Sequence, residues 1–405
     1  MTANVAGYLL QLLASRWLGV SGYSPFASLL AVQLLCAVPA LALQNVVARE
    51  VVRGAGIGAA RGLAWRCAAL VAAVAVVLVP VVSTVLDVGV WASAAALGAA
   101  PVLVLLSGEQ GILQGQRRFR ELATVLGGAG VARVTPAIIV LAIGGGTSAA
   151  LWAAAAGIAV AAVSARLAAG GAHTVTEPSA RVRSPDSRPA SARAEQWPIT
   201  AESEAVGVVA VLRAAQLQAA LMALSSADLI VSRIVLETDD AGRYALGAVA
   251  TKIAFWLPQA VGVVLYPRMA QPRHSAQAVR SALAVLSAIG VLAVAGAAVA
   301  APLAPLFAGQ DYAPVQGLLW LFALDGALLA VLQAALLSAI AADRTAPAAL
   351  TWLGLAAGVA AMLTLAHSVL GLITIATTTA AITTAVIAAL ALGATRRPRP
   401  VTTST

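Results

Sequence analysis

Residues Lys252–Ala270 read KIAFWLPQAVGVVLYPRMA. A run of this length and apolarity suits a helix crossing a hydrocarbon core of ~30 Å, which takes about 20 residues. Yet it carries the only lysine in the chain near one end and a proline, Pro258, near its middle. Both are costly in lipid: a charged side chain at bilayer depth costs on the order of 2.5 to 3.5 kcal/mol on insertion scales, and a proline removes one helical hydrogen bond. The rest of the chain shows the same environment. It has 405 residues, 61 % hydrophobic and 10 % charged, a composition that excludes an ordinary soluble domain.

Twelve apolar runs are long enough to span, at residues 3–18, 24–48, 64–86, 90–110, 122–143, 148–169, 205–236, 242–267, 281–304, 313–341, 346–366 and 369–393. They are continuously apolar, whereas strands of a membrane barrel alternate lipid-facing and lumen-facing residues, so the expected fold is an all-α polytopic membrane protein. The first run starts almost at Met1 without a basic segment before it, which reads as a membrane helix rather than a signal peptide. Cys36 and Cys67 lie in or beside apolar runs without metal-ligand spacing and read as packing residues. His173, His274 and His367 are scattered, and no glycine-rich phosphate loop followed by Lys-Ser/Thr occurs. No enzyme activity, metal, cofactor or nucleic-acid partner is expected.

Charge sets the orientation. Arginines collect in alternate loops, among them Arg49, Arg53, Arg61 and Arg66, then Arg117, Arg118 and Arg120, then Arg268, Arg273 and Arg280. The opposite loops hold Arg16, Arg233 and Arg243 with Asp87, Glu237, Asp239, Asp240 and Asp311. By the positive-inside rule the arginine-rich side and both termini are cytoplasmic, in the plasma (inner) membrane. Residues 170–204, rich in Pro, Ser and mixed charge, read as a disordered cytoplasmic linker. It separates an N-terminal six-helix lobe, 1–169, from a C-terminal one, 205–393, with a cytoplasmic tail over 394–405. The lobes have matching features. Pro39 precedes Arg49 by ten residues and Pro258 precedes Arg268 by ten. A duplicated six-helix unit, with parallel repeats about the membrane normal, accounts for this.

Four segments carry a resemblance. ASRWLGVSGYSPFASLLAVQ (residues 14–33), GILQGQRRF after the fourth run, SSADLIVSRIVLETDDAGRYALGAVATKIAFWLPQAVGVVLYPRMA over the seventh and eighth, and LLSAIAADR after the tenth resemble the polysaccharide-biosynthesis flippases of the multidrug/oligosaccharidyl-lipid/polysaccharide (MOP) exporter superfamily. The resemblance implies two lobes around a central cavity that opens alternately to either side. It also implies a polyprenyl-pyrophosphate-linked oligosaccharide as cargo, with membrane lipids and the glycosyltransferases or polymerase of the same pathway as partners. The short first helix and the long linker depart from that pattern.

Five ionisable residues fall within the spans. Arg133 is near the midplane, Arg213 is shallower, and Lys252 is about ten residues from the outer end of its helix. Asp228 is expected level with Lys252, and Asp325 near the depth of Arg133. Lys252 and Asp228 are read either as an ion pair or as a substrate contact. Arg133 either pairs with Asp325 across the lobes or stands in the cavity as a cation for an anionic head group, a role that suits a planar guanidinium. Arg213 either snorkels or binds substrate. Pro39 and Pro258 are candidate hinges or static kinks, and Gln33, Gln44, Asn45, Gln216, Gln218, Gln259 and Gln333 are amides for a sugar path or for interhelical bonds. Two other functions compete: a cation-coupled multidrug exporter of the same superfamily, and a non-transporting scaffold of an envelope-assembly complex.

Overall fold

The computed structural model describes residues 2–170, 216, 219–257, 275–340 and 346–394, and every regular element among them is helical. The longer helices are α1 (Thr2–Cys36), α2 (Val38–Val52), α3 (Ile57–Val85), α4 (Val90–Gly115), α5 (Phe119–Ala142) and α6 (Thr147–Gly170). After the break in the description come α7 (Ala227–Val235), α8 (Thr238–Trp256), α9 (Ser275–Ala300), α10 (Leu319–Ile340), α11 (Ala346–Leu365) and α12 (Val369–Ala394). Eight helical stretches among the described residues are long and apolar enough to cross a membrane, which makes this a multi-pass membrane protein. The expected linker and the tail, apart from Gly170 and Ala394, lie outside the described residues.

The first stretch holds two helices, as its two runs predict, but with a kink between them in place of a loop. Two separate runs, 3–18 and 24–48, are joined here without a loop: the apolar helical path Ala6–Val52 is 47 residues long. At 1.5 Å per residue that is ~70 Å, more than twice a bilayer core, so it cannot cross as one straight rod. It turns at a single residue. Gly19 has φ 67° and ψ 178° inside α1, a conformation open to glycine because it has no Cβ to meet the backbone. The path breaks again at Ala37, whose N–H still reaches the carbonyls of Gln33 and Leu34 at 3.0 and 3.2 Å.

The helices pack as two groups. In the first, α4 lies against α2, α3 and α6, and α5 lies between α6 and α1; in the second, α10 lies against α8, α9 and α12, and α11 packs on α12. Contact between the groups is carried chiefly by α1 on α8. Close approach comes from small residues: Ala95, Ala96, Ala99 and Ala100 of α4 are fully buried. Lipid tails leave little hydrophobic gain between helices, so small side chains that bring backbones together supply the packing. Val76, Val77, Leu292 and Val299 face outward and exposed, as a lipid-bathed surface requires.

Candidate functional site

Between the two groups lies a cavity of about 300 Å³, walled by α1 and α5 on one side and by α7 and α8 on the other. Tyr8, Gln11, Arg133, Lys252 and Trp256 are its polar or aromatic wall residues, set among Leu, Ala and Val side chains. Its two basic side chains are Arg133 and Lys252, and among the described residues no carboxylate lines it. The site thus joins two of the three predicted cations; Arg213 lies outside the described residues.

Arg133 sits in the middle of α5, far from either helix end, and its Nη2 donates to Oε1 of Gln33 on α1 at 2.7 Å. Gln33 is buried. The expected alternative, an ion pair with Asp325, is not formed: among the described residues no carboxylate lies within 4.0 Å of Arg133. The two residues belong to different places: Arg133 lines the cavity, while Asp325 is carried by α10, which packs on α8 and does not line the cavity. A neutral amide leaves the guanidinium its charge and its remaining donors.

Lys252 is held differently. The helix that precedes α7 stops at Ser225–Ser226 and restarts at Ala227, and the ammonium fills the break. Its Nζ donates to the Ser225 carbonyl, to Ser226 Oγ at 2.9 Å and to Ser225 Oγ at 3.3 Å. Unwound backbone at membrane depth is tolerated where the protein supplies partners for its polar groups. The expected ion pair with Asp228 is not closed either. Asp228, in the first turn of α7, accepts instead from the Tyr244 hydroxyl at 2.8 Å. Asp228 and Asp325 nevertheless both lie near enough for their charges to act on Lys252 and on each other. All three are at most 8 % exposed. Asp325 is brought there by its neighbour: a Cβ on Gly326 would stand 2.1 Å from the Thr251 carbonyl, so only glycine lets α10 come this close to α8. Thr251 in turn donates to the Phe322 carbonyl at 2.9 Å.

The end of the bundle that carries Asp87, Asp240 and Asp311 is sealed by bonds that cross between the two groups. Arg233 donates to the carbonyls of Leu86 and Asp87 at 2.9 and 3.1 Å, Arg16 to Leu306 at 3.3 Å, and Tyr312 to Ser15 at 3.3 Å. Tyr23 meets Tyr312 edge to face at 6.5 Å. Beneath them, Tyr23, Phe26, Tyr244 and Phe322 share one buried cluster.

Several residues were not singled out in advance. Tyr8, whose hydroxyl donates to the Lys252 carbonyl at 3.1 Å, and Gln11 both belong to the short first run. Glu109 is buried at the far end of α4 and takes a two-pronged bond from Arg61, 2.8 and 2.9 Å; an acid next to a basic loop was the available signal. Among the amides, Gln44 bonds Gln114 at 3.1 Å away from the cavity, and Gln218 and Gln259 lie outside the described residues. Pro39 falls in the first turn of α2, where a missing N–H is least felt; Pro258 lies outside the described residues.

No family profile and no curated protein matches the sequence. Solved structures do. The inward-facing conformation of a multidrug resistance MATE family transporter of the MOP superfamily superposes with a TM-score of 0.70 at 13 % identity, covering 97 % of this chain and 94 % of that one. Lipid II flippase MurJ in an inward closed conformation gives 0.73 at 10 % identity, covering 96 % and 86 %. A MOP superfamily transporter from Pyrococcus furiosus, described as having a binding pocket of reversed polarity, gives 0.55 at 15 % identity, covering 98 % and 94 %. The fold of this chain is therefore that of the MOP superfamily transporters.

Proposed function

We propose that this protein is a MOP-superfamily flippase that carries a polyprenyl-pyrophosphate-linked glycan, or a related cell-envelope precursor, across the plasma membrane by alternating access. The sign of the cavity wall carries the proposal. Arg133 and Lys252 face the same space and, among the described residues, no carboxylate does, a surface that attracts a diphosphate and repels a cationic drug. Water exclusion strengthens that preference, because Coulomb interactions grow as the local dielectric falls. The fold places the cavity at the junction of two helix groups, where rocking one group against the other exposes a bound head group to either side. The polyprenyl tail stays in lipid throughout.

Orientation follows from the loops: the arginine-rich end is cytoplasmic, so the sealed Asp87 end faces outward. Pro39 and Pro258 are the proposed bending points, and Arg213 a further cation on the entry path. Depletion of the protein should cause a polyprenyl-linked oligosaccharide to accumulate on the cytoplasmic leaflet. Wild type should clear it and a stably inserted Arg133→Ala should not. Sensitivity to cationic dyes without lipid-linked sugar would instead establish a multidrug exporter, and full rescue by Arg133→Ala would favour a scaffold.

A further inference from the structure

Trp256 is placed unlike the other described tryptophans. Trp17, Trp65, Trp91, Trp152, Trp320 and Trp352 are each at least 42 % exposed, as in the aromatic belts that form at the two membrane interfaces. Trp256 is half-buried and lines the cavity. On the other flank of α8, Ile253 and Leu257 line a separate apolar pocket, so the tryptophan is turned away from that flank. Its ring meets Phe255 at 5.2 Å and 67°, and Phe255 is itself fully buried. An interface anchor needs no such support. Here the indole is braced against the core and presented to a space that also holds two cations.

Spacing adds a second observation. Ala248, Lys252 and Trp256 recur every four residues and form one stripe of α8 along the cavity wall. Trp256 therefore lies about 6 Å along the axis from Lys252, at 1.5 Å per residue, a step of the same order as that from a phosphate to the sugar ring bonded to it. Across the space, the Tyr8 hydroxyl donates to the Lys252 carbonyl at 3.1 Å. In a regular α-helix that carbonyl also accepts from the N–H of Trp256, which sets the Tyr8 oxygen beside the turn that joins the ammonium to the indole. The Tyr8 oxygen keeps its capacity to accept, and Gln11, one turn along α1, lines the same wall with an amide that both donates and accepts.

We propose that Trp256 is the seat of the first sugar of the cargo: the ring stacks by its C–H face on the indole while the diphosphate bonded to it lies between Lys252 and Arg133. A glucose-type pyranose has apolar C–H faces and a rim of hydroxyls. It suits the large, electron-rich apolar face of an aromatic ring, with Tyr8 and Gln11 placed to meet the hydroxyls. The volume agrees. At about 300 Å³ the cavity is at the lower end of the range for small-molecule sites, with room for a diphosphate and the ring next to it but not for a long glycan. The site then reads the first sugar and not the distal ones.

The inference rests on the anionic cargo proposed above, and a pair of ligands separates the two. Farnesyl methyl diphosphate and farnesyl N-acetylglucosaminyl diphosphate carry the same charge and differ in the sugar alone. Each is titrated by calorimetry into the detergent-solubilised full chain. Wild type should bind the sugar-bearing ligand roughly fivefold more tightly, the worth of one aromatic contact. Trp256→Met, apolar and adaptable in shape, should bind the methyl ester within about twofold of wild type and lose the preference for the sugar. Trp256→Phe should keep part of that preference. Arg133→Gln should weaken both ligands alike and leave the preference intact. If Trp256→Met fails to fold, Trp256→Phe decides alone through a reduced preference. Binding of both ligands with equal affinity by wild type, or a preference that the Trp256 variants leave unchanged, overturns the sugar seat and leaves the anionic cargo standing. Binding of neither ligand by wild type overturns both.

Discussion

Nε of Arg233, near the end of α7, donates to the carbonyl of Leu86, at the end of α3, at 2.9 Å. The bond joins residues 147 positions apart in sequence, and Nη2 adds a second to Asp87. The two groups of helices are thus latched at the Asp87 end by a cation against backbone oxygens, a pairing that needs no partner carboxylate.

Cutting this latch should favour a state open at the Asp87 end, the outer end in the orientation proposed above. Hydrogen bonds to a charged group contribute ~1.5 to 3 kcal/mol each, so Arg233→Ala is expected to raise the population open at that end roughly tenfold or more. A Ser28→Cys probe, buried in the closed state and not bonded to Arg233, would report it through faster reaction with an impermeant maleimide on intact cells, with Cys36 and Cys67 replaced. An unchanged rate would show that the apolar cluster alone keeps the end shut.

Arg133 and Gln33 make a second prediction. Gln33 holds the guanidinium on the cavity wall, so Gln33→Leu should leave the charge present but unaimed. Farnesyl diphosphate affinity is expected to fall about fivefold in Gln33→Leu, by ~1 kcal/mol, the net worth of one hydrogen bond. In Arg133→Gln the fall should exceed tenfold, since a charge is lost as well. Arg133→Lys should recover part of the loss. Equal affinity in all four proteins would remove Arg133 from the binding site.

How far the sequence foretold this arrangement depends on the interaction. Apolar runs are local signals, and they mark most of the helices among the described residues. Depth is also legible, because rise per residue is fixed, so Arg133 stood out as a midplane cation. Direction around the helix is not legible in a chain that is apolar on every face, which is why Asp325 could be assigned to the wrong cation. The joining of the first two runs turned on the backbone of Gly19 alone. The break at Ser225–Ser226 was hidden too: neither serine stops a helix by itself, and the group that stabilises the break is a lysine 27 residues later. Glu109 is hard to read from sequence because the arginines that follow it, Arg117, Arg118 and Arg120, already serve as topology signals.

The Tyr244 hydroxyl should matter through Asp228 alone. Its hydroxyl is the donor to a carboxylate that is 3 % exposed, and Tyr244→Phe leaves that acceptor short of a partner, at a cost of ~1 to 3 kcal/mol. The thermal midpoint of the detergent-solubilised protein is expected to drop. In an Asp228→Asn background the same change should do less, because a neutral amide has a smaller need for the bond. Additive effects in this double-mutant cycle would mean that the hydroxyl acts on something else.

Arg61 and Glu109 offer a test of stability apart from transport. Glu109 is buried and both its oxygens accept from Arg61, so this pair fastens α3 to α4 on the arginine-rich side. Removing the cation alone strands a buried carboxylate, and breaking such pairs costs ~3 to 5 kcal/mol; Arg61→Met should therefore lower the thermal midpoint sharply. Replacing both residues, Arg61→Met with Glu109→Leu, removes the stranded charge together with the pair. Isosteric apolar replacement of a buried ion pair is close to neutral in other proteins, so the double variant should melt near wild type. Insertion should be unaffected in each case, since Arg49, Arg53 and Arg66 still mark the same side. If the double variant melts as low as Arg61→Met, the pair contributes more than charge compensation, and the fork geometry itself would be holding α3 in place.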